Sequence, residues 1–194
     1  MPTQTTSGTR CCCSNCRPSN VCAEDFSVGK NLIFTEREAR FLQELVRHKA
    51  RFLIVGLSAA NLQGAPAVTQ DVDLWFRDLN DTGIQKALKK VGGFYIAPTA
   101  FTKPMFGGKA VELFDIVMTM DGLRSFDAEY RGAVEIRLGR TPVKVLPLSR
   151  IIASKKAANR PKDKLVLPVL EDAMLARKVH QKHPSSRKRS LRKG

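Results

Sequence analysis

Cysteine is missing from the whole chain beyond Cys22. All five cysteines, Cys11, Cys12, Cys13, Cys16 and Cys22, fall in the opening stretch, so what folds beyond it needs no disulfide. Long apolar runs are missing too. None approaches the roughly 18 residues of a membrane-crossing helix, and the start lacks the charged-then-apolar order of a secretory signal. The expectation is a cytoplasmic protein with no membrane partner. Histidine is scarce, and His48, His180 and His183 have no carboxylate or cysteine at a telling spacing, so none is assigned a role. Acidic residues are few: 18 against 33 basic ones, a net charge of +15. That balance favours polyanionic partners such as nucleic acid and nucleotides.

Part of the positive excess sits in the terminal stretch HPSSRKRSLRKG from His183, which holds Arg187, Lys188, Arg189, Arg192 and Lys193 and no acid. Basic runs of this kind are disordered and solvated, or contact nucleic acid, so the tail is a candidate RNA contact. At the other end, Cys13 and Cys16 form a CxxC that Cys22 and one more ligand would extend to a zinc site. No second CxxC follows, and the flanks are Thr, Ser, Gly, Pro and Asn. The reading preferred is a disordered leader.

What lies between is ordinary for a globular domain, in a chain of 194 residues that is 43% hydrophobic and 26% charged. The expected organisation is a Cys-containing leader over 1–30, one domain over 31–180 and a basic disordered tail over 181–194.

Thr35 followed by Glu38 reads as a capping box. Ala39, Phe41, Leu42, Leu45 and Val46 continue at helical spacing, which predicts a helix over 36–48. Phe52 to Val55 is an apolar strand ending at Gly56. A glycine turn opening a helix exposes backbone N–H groups that suit phosphate. A second strand over 70–76 carries Asp71 and Asp73 on one face and Val72, Leu74 and Phe76 on the other. Trp75 shares the aspartate face, with a packing role. Two like charges side by side need a cation, and oxygen ligands suit Mg²⁺.

Ile84, Ala87, Leu88 and Val91 predict a helix up to Gly92-Gly93. A short strand is expected at 94–97 and a loop over 98–109. Residues 110–118, AVELFDIVM, read as one strand with Val111, Leu113, Asp115 and Val117 on one face and Glu112 on the other. Asp121-Gly122 marks a turn. Strands 135–138 and 143–146 form a hairpin at Gly139. Ser149 caps a helix, Arg160-Pro161-Lys162-Asp163 starts a helical run, and Pro168 opens the last helix, over 168–180. Asp163 is expected to pair with a lysine or cap its helix. No internal repeat is present. The order predicts an α+β domain: a mixed sheet with flanking helices and a helical C-terminal part.

Gly56, the small residues Ser58-Ala59-Ala60, Gly64 and then Thr69-Gln70-Asp71-Val72-Asp73-Leu74 resemble the signature of nucleotidyltransferases of the DNA polymerase beta superfamily. The minimal and toxin-type bacterial members are especially similar. Leu113-Phe114-Asp115-Ile116-Val117 is similar to the strand that brings their third carboxylate. Residues 146–156 and Arg160-Pro161-Lys162-Asp163 resemble their trailing helices. The likeness covers about 36–172.

It implies a nucleotidyltransferase-like fold and a metal-dependent transfer of NMP from an NTP, ATP included, to a protein or RNA acceptor. The implied setting is a toxin–antitoxin or phage-defence system. Asp71, Asp73 and Asp115 would be the catalytic and metal-binding residues, for Mg²⁺ or Mn²⁺. Gly56, Ser58, Lys155, Arg160 and Lys162 would bind the nucleotide. One position departs from the pattern: Leu57 stands where the family has Gly or Ser. Either Ser58 takes that role in a shifted turn, or the phosphate cradle is degraded. In the second case the chain is a catalytically weak or inactive binding module for RNA or a partner protein.

Overall fold

The computed structural model describes residues 34–182. The expected leader with its cysteines, and the tail from residue 183, lie outside the described residues.

The first helix, α1 (Glu36–Arg47), opens as its sequence dictates. The Thr35 N–H donates to Glu38 Oε2 at 2.6 Å, and the Glu38 N–H reaches back to Thr35 Oγ1 at 3.5 Å, closing the capping box. Its apolar stripe places Phe41, Leu42 and Leu45 fully inside. The chain continues as β1 (Phe52–Ile54), α2 (Gly56–Leu62), β2 (Val72–Phe76), α3 (Thr82–Val91), β3 (Phe94–Ile96), β4 (Met105–Gly107), β5 (Phe114–Val117), α4 (Phe126–Arg131), β6 (Val134–Leu138), β7 (Thr141–Val145), α5 (Leu148–Ala158) and α6 (Pro161–Lys182).

Five strands form one mixed sheet in the order β5-β2-β1-β7-β6. The short β1 is central, antiparallel to β2 and parallel to β7, and β2 runs parallel to β5. β6 and β7 make the expected hairpin. Its two-residue turn begins at Gly139, whose φ of +61° suits a glycine-first loop. β3 and β4 pair apart from the main sheet. The α+β expectation, with flanking helices and a helical C-terminal part, is therefore what the chain adopts.

One face of β2 presents Val72, Leu74 and Phe76, all buried. Phe76 meets Phe106 edge-on at 5.7 Å, and Phe41 of α1 packs on Phe106 at 5.6 Å and on Phe114 at 5.2 Å. The other face carries Asp73 and Trp75. Trp75 is a core residue: its Nε1–H donates to the Met118 carbonyl at 2.9 Å, and Phe126 stands edge-on to it at 5.5 Å.

Four expectations need correction. Only Phe114–Val117 of the 110–118 stretch is strand, because residues 108–114 run through consecutive turns, with Val111 N–H to Gly108 O and Phe114 N–H to Val111 O at 3.0 Å each. The expected 98–109 loop contains β4. Ser149 lies inside α5, which starts at Leu148 after Pro147. Pro168 does not open a helix; α6 begins with Pro161 and runs through it. Proline at the first helical position costs nothing there. An interior proline costs about 3 kcal/mol, offset here by packing that buries Leu170 completely and half-buries Val166, Leu167, Ala173 and Met174. Nothing in the sequence pattern predicts the short α4.

Glu129 of α4 is buried and held by Arg150 of α5, with Nε to Oε2 at 2.9 Å and Nη2 to Oε1 at 2.6 Å. That hydrogen-bonded guanidinium lowers the Glu129 pKa, against a smaller upward push from burial, and the Arg124 backbone N–H helps. The pair's stabilisation is present above the unfolded carboxylate value and is lost as pH falls through the folded one. Arg150→Met is expected to cost about 2–3 kcal/mol at neutral pH and much less near about pH 3. Urea unfolding at the two pH values checks this, and an equal deficit at both would refute it.

Candidate functional site

The site is built where β1 ends. The Val55 N–H donates to the Asp73 carbonyl at 2.9 Å, which ties the end of β1 to β2. Gly56 then turns the chain into α2 with φ of +67°, a left-handed conformation suited to glycine. Its missing side chain has a second use. A Cβ on Gly56 would overlap the Asp73 carboxylate, so that carboxylate lies directly against the turn.

Asp73 is half-buried. The parallel register of β2 and β5 sets Asp115 directly beside it, on the same face, and Asp115 is exposed. Asp71 lies one residue before the strand and is also exposed. Burial raises the Asp73 pKa most, and the neighbouring Asp115 raises it further. Lys155 pulls it back, Asp71 adds a smaller upward push, and Lys162 a smaller downward one. The four residues that act on Asp73 come from the position just before β2, from β5, from α5 and from α6. Glu112 is not among them. It is exposed in the turn before β5, where strand alternation does not apply.

The lysine side of the site is anchored. Lys155 Nζ lies 2.7 Å from Asp163 Oδ1, with both side chains largely buried. Asp163 thus takes the lysine-pairing role its sequence context suggests. Asn159 makes the meeting possible: it ends α5 in the left-handed conformation, φ +51°, and turns the chain into α6.

Two chosen residues are used elsewhere. Ser58 is fully buried and its hydroxyl donates to the Val55 carbonyl at 3.0 Å, so it is turned inward. Leu57 packs against the core. Arg160 reaches back to Asp121 at 2.9 Å, in an exposed pair that fastens the Asp121-Gly122 turn to the start of α6. Gly122 itself approaches α5 so closely that a Cβ would overlap the Ala157 side chain.

Gln63 is the residue that sequence reading missed. Its amide donates to Ala59 O at 2.9 Å and Leu146 O at 2.8 Å, and its Oε1 accepts from the Leu148 N–H at 3.0 Å and Arg177 Nη1 at 3.2 Å. One buried amide thus ties α2 to the end of β7, to α5 and to α6. Three of these contacts are more than eighty residues away in sequence, and no local pattern marks them.

Among the described residues, no three His, Cys, Asp or Glu side chains are gathered tightly enough to hold a metal ion. The Asp73–Asp115 pair nonetheless fits a divalent, oxygen-preferring cation. Both offer carboxylate oxygens, and a positive charge there would offset the burial and the Asp115 repulsion that together raise the Asp73 pKa.

No helix among the described residues is long and apolar enough to cross a membrane. No protein-family model matches the chain, and no curated protein matches it. A crystal structure of ANT(2")-Ia in complex with adenylyl-2"-tobramycin is similar over 76% of this chain and 96% of that one, at 14% identity and a TM-score of 0.46.

Proposed function

We propose that this chain is a metal-dependent nucleotidyltransferase that moves NMP from an NTP to a protein or RNA hydroxyl. The observation that carries the proposal is Asp73: seated in the space left by Gly56, in register with Asp115, and within the field of Lys155 and Lys162. Asp73 and Asp115 would hold Mg²⁺ or Mn²⁺, with Asp71 at the open edge. The bound cation would neutralise phosphate oxygens and stabilise charge on the attacking and leaving oxygens. Lys155, held by Asp163, would offer a fixed positive charge to the triphosphate, and Lys162 a more mobile one. Asp115, the exposed carboxylate, would draw the proton from the acceptor hydroxyl. That oxygen then attacks the α-phosphorus as the bond to the bridging oxygen breaks and pyrophosphate leaves. The protein's own work is positioning and neutralisation.

A second reading, a fold that binds RNA or a partner protein without turnover, draws support from Ser58, whose hydroxyl is turned inward. One experiment separates the two. Purified protein is incubated with each α-labelled NTP, Mg²⁺, RNA and cell protein. Label transferred to either acceptor and abolished by chelation is the expected result. No transfer, together with no Mg²⁺-dependent NTP binding by thermal shift, would sink the enzymatic proposal.

A further inference from the structure

From Thr82 to Val111 the chain has no acidic residue and five lysines, Lys86, Lys89, Lys90, Lys103 and Lys109. All five are exposed. This stretch forms α3 and the β3–β4 hairpin, which pack against each other. The hairpin has two unlike faces. Tyr95 and Phe106, cross-strand partners, face the core, where Phe106 meets Phe41 and Phe76. The outer face carries Phe94 opposite Gly107 and Ile96 opposite Met105. Phe94 is 58% exposed and Met105 49% exposed. Phe101, in the loop between the strands, is 97% exposed.

The exposed rings of Phe94 and Phe101 stand in a stretch with five exposed lysines, and each ring left in water forgoes its burial energy. The Phe94 ring lies across Gly107, where any Cβ would overlap it, so the ring has a fixed seat on the strand. Beside it, a cleft of about 560 Å³ opens between α3 and β3, lined by Leu88, Lys89, Gly92, Gly93, Phe94 and Tyr95.

We propose that the outer face of the β3–β4 hairpin, with the adjoining surface of α3, binds single-stranded nucleic acid. Phe94 and Phe101 would stack on bases. Lys86, Lys89, Lys90 and Lys103 would follow the phosphates. Aromatic faces take any base and lysines take any phosphate, so the surface needs no sequence preference. Lysines spread over helix and hairpin suit a chain of repeated charges better than one compact acidic group. The proposal concerns binding and does not rest on nucleotidyl transfer.

The test is fluorescence anisotropy of the full chain with a labelled twelve-nucleotide RNA, the same DNA strand and its duplex, at low and moderate salt without divalent ions or NTP. Expected is tighter binding of both single strands than of the duplex, weakening steeply with salt. Phe101→Ala should weaken single-strand binding about tenfold with the salt slope unchanged. Lys89→Gln with Lys90→Gln should flatten the slope. Both variants alter exposed side chains, so an unchanged unfolding midpoint will confirm an intact fold. The proposal is overturned if Phe94→Ala and Phe101→Ala bind like the parent, including when removal of residues 183–194 alone abolishes binding. It is equally overturned if these variants impair only the capture of an acidic peptide or of phosphatidylserine vesicles.

Discussion

Asp73→Asn is expected to lower the proposed nucleotidyl transfer about a thousandfold while making the protein more stable at neutral pH. The rate follows from charge. A carboxylate that holds a catalytic cation supports several kcal/mol of transition-state stabilisation, and about 4 kcal/mol is three orders of magnitude. The stability change follows from linkage. The folded-state pKa of Asp73 is raised by burial first and Asp115 second. Its contribution to stability is therefore fully present below the unfolded value and is lost as pH rises through the folded one. At neutral pH the ionised group costs stability, and the isosteric amide removes that cost without disturbing the seat against Gly56. Thermal unfolding should rise for the variant near neutrality and match the parent near about pH 3. Unchanged transfer by Asp73→Asn would remove this residue from its proposed catalytic role.

Lys155→Ala is expected to cost about 3–5 kcal/mol, the usual penalty for stranding one member of a buried ion pair. Its ammonium lies 2.7 Å from the Asp163 carboxylate, and Asp163 is only 4% exposed, so loss of the lysine leaves a largely buried carboxylate without its ionic partner. Removing both partners together, as Lys155→Met with Asp163→Leu, should recover most of the loss. Urea unfolding of the two single variants and the double variant measures the coupling. A second readout separates a structural from a positioning role. Lys155 holds the Asp73 pKa down, so its loss raises that pKa further. The acid limb of the transfer profile should then move to higher pH. A stability loss with an unmoved profile would confine Lys155 to pairing with Asp163.

The parts of the fold that are legible in the sequence are those whose cause is local. The capping box at Thr35 and the stripe from Phe41 to Leu45 announce α1 because both ends of each contact lie within two helical turns. The alternation through Val72, Leu74 and Phe76 announces β2 and the face that carries Asp73. The glycine-first turn at Gly139 announces the last hairpin. What stayed hidden has non-local or very short causes. Six residues of α4 are too few to display a helical period. β4 sits among Pro104, Gly107 and Gly108, which read as a loop, and becomes a strand only because β3 lies beside it. Pro168 argues for a boundary that the packing of Leu170 overrides.

The candidate site divides in the same way. Asp73 and Asp115 were legible because each stands in an apolar strand, where a carboxylate needs a reason to be. That they sit side by side is a matter of strand register, which only the folded sheet fixes. The inward turn of Ser58 was not legible, since a serine two residues beyond a glycine turn can face either way. The Lys155–Asp163 pair depends on the direction in which Asn159 sends the chain. Gln63 left no trace, because everything it holds is assembled around it.

The placement of β1 has a consequence for the order in which the molecule can be made. Its three residues form the middle strand, yet its second neighbour is Val145, about ninety residues downstream of Ile54. At roughly 5–20 residues per second of synthesis, Phe52-Leu53-Ile54 waits on the order of 5–20 s with one edge open. During that interval β1 has only β2, and then the strand beyond it, for company. An open apolar edge is the kind of surface that recruits other chains, so throughout this period the nascent protein offers β1 to a chaperone or to a wrong partner.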